Sequence, residues 1–243
     1  MINFLDSIMY NQSITDIKSY VNADQWIKNF AAYAVTLNQD SIIASPNNYY
    51  LATTSGGKND WSIVQYDHDK IATREGAGLC AVACGFRQIY WPLLRPSCGS
   101  IADHPILGRI LNDEDSVQSY LAYIQEFVDM IDSGVLLKLR SYGHVIKAYT
   151  TDDPHFVYKS VEEYESSELG TDYANYNVPS MPLLKILSAR IEQVKAQLKA
   201  IESETLPRNG IYGENEQCPD WRDDQGSDYN AGASILNWKI GAR

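Results

Sequence analysis

Asn47-Asn48-Tyr49-Tyr50-Leu51-Ala52-Thr53, then Ser55-Gly56-Gly57-Lys58-Asn59-Asp60, then Trp61-Ser62-Ile63-Val64-Gln65-Tyr66 and Asp67-His68-Asp69 form the stretch that decides the fold. Tyr and β-branched residues on either side of a Gly-Gly turn predict two paired strands. Asn38-Gln39-Asp40 lies just upstream, at the end of a helical stretch. A hairpin returns its second strand to the start of its first, so Asp40, Asn48, Asp67 and Asp69 are expected in one pocket. Several carboxylates and an amide oxygen, with no basic residue among them, form an unfavourable cluster unless a hard cation neutralises it. Magnesium or manganese carrying a phosphorylated ligand suits that donor set. A D-x-D triplet alone is common by chance; its weight here comes from the strand-end position and from Asp40 and Asn48 upstream.

The order of these groups is that of protein kinases, in which a catalytic Asp precedes a loop ending in an Asn that opens a strand. The second strand of the hairpin then delivers a metal-binding Asp. Asp40, Asn48 and Asp67 fall in that order. The spacing differs from the shorter H-R-D-x-x-x-x-N loop, and neither its His nor its Arg is present, which excludes an ordinary protein kinase and leaves an atypical one open.

Four segments then carry a resemblance: Val21-Asn22-Ala23-Asp24-Gln25-Trp26-Ile27-Lys28-Asn29-Phe30, Asn38-Gln39-Asp40, Asn47-Asn48-Tyr49-Tyr50-Leu51 and Tyr66-Asp67-His68-Asp69. Together they resemble the CotH family of spore-coat, kinase-like proteins, with its pattern of N-W-D, N-x-Y-L and W-D-L-D. Gln39 and Tyr66 stand where that pattern has Trp. The resemblance continues through His104-Pro105-Ile106-Leu107-Gly108-Arg109-Ile110-Leu111 and Tyr120-Leu121 to a closing helix bearing Arg190.

The resemblance implies an α+β fold, a mostly helical kinase-like C-terminal lobe around a β-hairpin over residues 1–204, with a tail over 205–243. It implies transfer of the γ-phosphoryl group of ATP to a protein serine or threonine. Asp40 would accept or orient the hydroxyl proton, Asn48 and Asp67 would hold the Mg or Mn that bridges the phosphates, and Asp69 would be a further ligand. Family members carry an N-terminal lobe before this region, whereas Met1 stands almost at the first helix and no Gly-rich phosphate loop or V-A-I-K-like strand follows. The expectation is therefore a C-lobe without its N-terminal lobe, weakly active or inactive. Two other classes compete: a non-catalytic cell-surface adhesion or scaffold protein, and a metal-dependent glycosyltransferase using the D-x-D. No Rossmann-like βαβ unit precedes the hairpin, which disfavours the last.

Composition supports a globular piece: 243 residues, 44% hydrophobic and 21% charged, enough for one large domain with a substantial core. A formal net charge of −11 argues against nucleic acid as a partner, and the resemblance implies a protein substrate or a surface partner. No apolar run is long enough for a membrane-spanning segment. Asp6 interrupts the apolar start, so no signal peptide is evident, although the resemblance points to a secreted or surface home. Cys80, Cys84, Cys98 and Cys218 are even in number, which leaves two disulfides and buried free thiols as alternatives; a C-x₃-C pair without nearby His disfavours zinc. Asn11-Gln12-Ser13 is a lone glycosylation sequon.

Helical spacing predicts a short turn over 14–20 and a longer helix from a cap at Asp24 through Leu37. Three further helices are expected over 104–112, with Pro105 at its first position, 114–132 and 134–149. The second of these has Val117, Leu121, Ile124 and Val128 as its stripe. Val161–Leu169 is a short helical stretch. Leu183–Ser203 is the strongest helix, its charged residues assigned to a solvated face. His68 between two acids is a weak proton-shuttle candidate, and His104, His144 and His155 are expected to be structural. The tail sequence Asp220-Trp221-Arg222-Asp223-Asp224-Gln225-Gly226 is a poor match to a calcium loop.

Overall fold

The computed structural model describes residues 14–38, 40–44, 47–53, 56, 60–68, 71, 91, 93–94, 96, 104–151, 173–175, 178–180 and 183–203. In chain order these form α1 (Ile14–Lys18), α2 (Ala23–Thr36), β1 (Tyr49–Ala52), β2 (Ser62–Gln65), α3 (Pro105–Leu111), α4 (Glu114–Met130), a π-helical turn (Ile131–Val135), α5 (Leu136–Thr151), β3 (Tyr173–Asn175), β4 (Val178–Ser180) and α6 (Leu183–Glu202). The architecture is the expected α+β one, helices gathered around a two-stranded hairpin. The expected helix at 161–169, all four cysteines, Asn11, Asp69, His155 and the tail lie outside the described residues.

Helix α2 is capped two residues earlier than expected from sequence. Asn22, not Asp24, is the N-cap, its side chain accepting from the Gln25 N–H at 3.3 Å. The reason is tertiary. The Asn22 N–H donates to the Trp61 carbonyl at 3.1 Å, and the Trp26 indole donates to the same oxygen at 2.7 Å. Asp24 instead sits in the first turn, where a carboxylate suits the positive end of the helix dipole, and accepts from the Tyr123 hydroxyl. At the other end Leu37 takes a left-handed conformation (φ 56°) and, with Asn38, donates its N–H to the Tyr33 carbonyl. A left-handed Leu costs on the order of 1 kcal/mol. Complete burial of its side chain offsets that cost.

The hairpin pairs Tyr49 with Gln65, Tyr50 with Val64, Leu51 with Ile63 and Ala52 with Ser62. On the outer edge of β2 the Gln25 side-chain amide replaces a third strand, donating to the Ile63 carbonyl at 2.6 Å and accepting from its N–H at 3.0 Å. Strand β2 thus runs alongside α2 and in the same direction. Trp61 is fixed at the start of the helix, and the Gln65 amide reaches the Asp40 carbonyl beyond its end, at 3.1 Å. The lengths match, since a helix of this size and the path from Trp61 to Asp67 each span about 20 Å. This parallel pair is what brings the strand end to Asp40.

Below the hairpin, α2, α4 and α6 share one apolar core that includes Trp26, Phe30, Ile124, Val128, Ile191 and Val194. The α4 stripe is rotated from the expected one. Ser116, Tyr120, Ile124 and Val128 are buried, while Val117 and Leu121 are half-buried at its edge. Asp113 caps α4 by accepting from the Ser116 N–H, and its carboxyl is held below the usual range by the Ser116 hydroxyl first and by Lys18 second. As expected, α3 begins with Pro105 at its first position, and buried His104 places Nδ1 3.1 Å from the Ile42 carbonyl.

The core also holds a polar network that sequence did not show. Arg190, assigned to a solvated face, is fully buried and donates to the carbonyls of Ala34 at 2.8 Å and Trp91 at 2.7 Å. Gln197 accepts from the Leu93 N–H and donates to the Trp91 carbonyl, and the Tyr120 hydroxyl donates to the Leu93 carbonyl. Backbone groups of Trp91 and Leu93 are thereby paired inside the domain, as burial requires. Burial pulls the Arg190 guanidinium below its ordinary pKa and pushes the Tyr120 hydroxyl above its own.

Two further differences concern the second half of the chain. Between α4 and α5 the helical path turns at Gly134, whose φ of 111° is accessible at low cost only to glycine. Tyr173–Asn175 and Val178–Ser180, expected as no strand from sequence, form an antiparallel ribbon that pairs Tyr173 with Ser180 and Asn175 with Val178. Pro179 is tolerated there because a two-stranded ribbon leaves every strand an open edge. Among the described residues no helix is long and apolar enough to cross a membrane.

Candidate active site

Asp40 stands past the end of α2, where the Leu37 turn releases the chain. Ser41 reinforces the bend, its hydroxyl donating to the Asn38 carbonyl at 2.6 Å. Two neighbouring amides converge on the Asp40 carboxylate. Asn48 Nδ2 lies 2.8 Å from Oδ2, and Asn47 Nδ2 lies 3.1 Å from Oδ1. Both are neutral donors, so they orient the carboxylate without cancelling its charge, and each oxygen keeps a further lone pair. Neither Asp40 nor Asp67 makes an ion pair among the described residues.

Asn48 opens the hairpin with φ 54° and Asp67 closes it with φ 55°. Asn and Asp are the residues that best tolerate the left-handed region, through local side-chain hydrogen bonds. Such backbone conformations concentrate at functional sites, held by the structure around them. The two positions are tied together by the Tyr66 N–H, which donates to the Asn48 carbonyl at 3.0 Å. Asn48 spends its NH₂ on Asp40, so its carbonyl oxygen is the end of the side chain left for a ligand. Asp67 is exposed.

Tyr66 reports the electrostatics. Its ring stacks on that of Tyr50 with centroids 4.8 Å apart, and both rings are exposed, Tyr50 by 62% and Tyr66 by 42%. The Tyr66 hydroxyl is pushed above its ordinary pKa by desolvation first, then by Tyr50, and further by the carboxylates of Asp67 and Asp40. Asp40 bonds the Asn48 amide, and the Asn48 carbonyl accepts the N–H of Tyr66, the residue before Asp67, so the two acids stand at the same end of the hairpin.

Of the four residues expected from sequence, Asp40 and Asn48 are in direct contact and Asp67 is joined to them through Tyr66. Asp69 lies outside the described residues. Exposed His68, between the two acids of the triplet, accepts the Ile71 N–H on its backbone carbonyl at 3.3 Å, and its imidazole has no hydrogen-bond partner among the described residues. Among those residues no group of three or more His, Cys, Asp and Glu side chains is close enough to hold a metal ion, so the described oxygen donors are two acids and an amide. Sequence reading missed Asn47 as the second amide on Asp40, although the Asn47-Asn48 pair was visible. It also missed the Tyr50–Tyr66 stack, which follows from the two-residue period of the strands and the hairpin register.

An acid after a helix, an amide at the start of a hairpin and an acid at its end define a kinase-like arrangement. The family model described as CotH kinase protein matches residues 1–179, and the chain belongs to that family. Helix α6, with Arg190, lies beyond the match. No curated protein and no solved structure matches the chain.

Proposed function

We propose that this CotH-family chain transfers the γ-phosphoryl group of ATP to a serine or threonine of a protein substrate. The observation that carries the reading is the Asp40 carboxylate, held by two neutral amides within the electrostatic reach of a phenol that also feels Asp67.

The donor set fits a hard divalent cation, Mg or Mn: two carboxylates and an amide oxygen, with no described cation compensating them. Asn48, through its carbonyl oxygen, and Asp67 are the residues that would hold it, with Asp69 as a further candidate from sequence. Bound there, the cation supplies charge neutralisation to the phosphate oxygens. Asp40 orients the acceptor hydroxyl and receives its proton on a carboxylate oxygen as the new O–P bond forms and the bond from the γ-phosphorus to the β,γ-bridging oxygen breaks, ADP leaving with that electron pair. Asn47 and Asn48 keep that carboxylate from rotating. Phosphoryl transfer depends mostly on such positioning, so the amide pair is part of the mechanism rather than decoration.

The test is incorporation of labelled phosphate from ATP and Mn²⁺ into the chain itself or an added Ser-rich protein. The proposal expects incorporation that Asp40→Ala abolishes while the circular dichroism spectrum stays unchanged. Incorporation that persists in Asp40→Ala contradicts the role given to that carboxylate.

A further inference from the structure

Residues alternate sides along β2, so Gln65 shares a side with Ile63, which is buried in the core, while Val64 and Tyr66 stand exposed on the other. An amide thus holds the last inward position of the strand, where the pattern calls for an apolar side chain. Its nitrogen spends one hydrogen on each of two backbone oxygens: Nε2 donates to the Asp40 carbonyl at 3.1 Å and to the Tyr66 carbonyl at 3.1 Å. Its Oε1 is buried and has no hydrogen-bond partner among the described residues. That oxygen keeps its desolvation cost, which an apolar side chain of the same size would avoid. What the amide contributes at this position is therefore the pair of bonds from its nitrogen.

Those bonds join the two acids of the candidate site through their backbones. The Asp40 carbonyl belongs to the residue whose carboxylate Asn47 and Asn48 orient, and the Tyr66 carbonyl belongs to the peptide that leads into Asp67 at φ 55°. Because one nitrogen holds both, the two oxygens stand within twice the 3.1 Å bond length of each other. The acids are also linked the long way round, from Asp40 to the Asn48 amide and from the Asn48 carbonyl to the Tyr66 N–H. We propose that Gln65 is a positioning residue that fixes the separation of Asp40 from Asp67. With it Gln65 fixes the distance between an acceptor hydroxyl held at Asp40 and a phosphate–cation group held at Asp67. This role rests on the phosphoryl-transfer reading, and Gln65 acts through the two acids rather than on either substrate. Transfer to a protein hydroxyl needs both anchors in register. Transfer to water, which gives inorganic phosphate and ADP, needs the phosphate anchor alone, because water reaches the γ-phosphorus without being held at Asp40. Loss of the Gln65 bonds therefore damages protein phosphorylation more than ATP hydrolysis.

The test measures labelled phosphate in protein and released inorganic phosphate in one reaction, with the full chain, γ-labelled ATP, Mn²⁺ and a Ser-rich protein. Gln65→Met keeps the size and removes both donors. It is expected to slow protein phosphorylation about tenfold or more and hydrolysis by less, so that the ratio of hydrolysis to transfer rises about fivefold or more. The KM for ATP should stay within about twofold of wild type, because Asn48 and Asp67 remain tied through the Tyr66 N–H. Unfolded chain does neither reaction, so the ratio does not depend on how much of the variant folds. Gln65→His, which returns one N–H donor at similar reach, should move the ratio in the same direction by less. A ratio unchanged in both variants, whether the two rates hold or fall together, overturns the role and leaves Gln65 a packing residue. A raised KM with turnover intact overturns it as well. Wild-type chain that neither transfers nor hydrolyses overturns the phosphoryl-transfer reading itself, and this role with it.

Discussion

The Asn48 side-chain amide donates to Asp40 Oδ2 across 2.8 Å, from a backbone position held in the left-handed region at φ 54°. One residue thus fixes the carboxylate and turns the chain into β1. The two contributions are separable. Asn48→Gly keeps the backbone freedom and loses the amide. It should leave stability within about 1 kcal/mol of wild type while depressing phosphate incorporation. Asn48→Ala adds the left-handed penalty, for a total loss of about 2 kcal/mol in urea unfolding. Equal stability of the two variants would mean that the turn imposes no backbone demand.

Arg190 is the polar anchor of the core, joining the last turn of α2 to Trp91. Arg190→Met leaves two buried carbonyls without this donor and should lower stability by about 3 kcal/mol or more. Arg190→Lys should rescue little of it, because a single ammonium on a different stem does not reproduce the guanidinium fork. Urea midpoints of the two variants check this; full rescue by Lys would show that charge, not geometry, matters there.

Asn38 is completely buried, and neither its side-chain Nδ2 nor its side-chain Oδ1 has a hydrogen-bond partner among the described residues. Such groups retain their desolvation cost. Asn38→Leu should therefore raise stability by about 1 kcal/mol in thermal unfolding, at a position two residues from Asp40. A clear loss of stability would mean that the amide is satisfied in solution.

Tyr33 gives the fold an alkaline limit. Burial pushes its hydroxyl up to about 12, and that oxygen has no partner among the described residues. The folded pKa exceeds the unfolded value near 10, so the stability attached to the neutral phenol is complete below pH 10 and is lost as pH rises toward 12. Denaturant midpoints should fall across that window. Tyr33→Phe should flatten part of the fall, with Tyr66, Tyr120 and Tyr123, whose hydroxyls are also shifted upward, contributing to what is left. An identical pH profile in Tyr33→Phe would remove Tyr33 from this account.

What was legible in the sequence was what local chemistry determines. The β1–β2 hairpin followed from a Gly-Gly turn between Tyr- and Ile/Val-bearing runs, and α2, α4 and α6 from apolar periodicity. The closeness of Asn48 and Asp67 followed from hairpin closure, while Asp40 is brought to them by α2 lying along β2. What stayed hidden depends on distant partners. Asn22 rather than Asp24 caps α2 because the Trp61 carbonyl draws the chain there. A charged Arg190 on an amphipathic helix reads as solvated until the carbonyls of Ala34 and Trp91 surround it. The α4 stripe is rotated because Tyr120 reaches the Leu93 carbonyl. The β3–β4 ribbon escaped because three-residue strands containing Pro179 carry almost no periodic signal.

The central claim is that Asp40, Asn48 and Asp67 form one divalent-cation site. Its most direct test is the melting temperature of the full chain against millimolar Mn²⁺, for wild type and for Asp67→Asn. A cation that binds only the folded state raises stability by mass action, by about 1.4 kcal/mol at ten times its dissociation constant. The account predicts a saturable rise in wild type that Asp67→Asn removes almost entirely. A wild-type melting temperature that does not move with Mn²⁺, or an equal rise in both proteins, would contradict it.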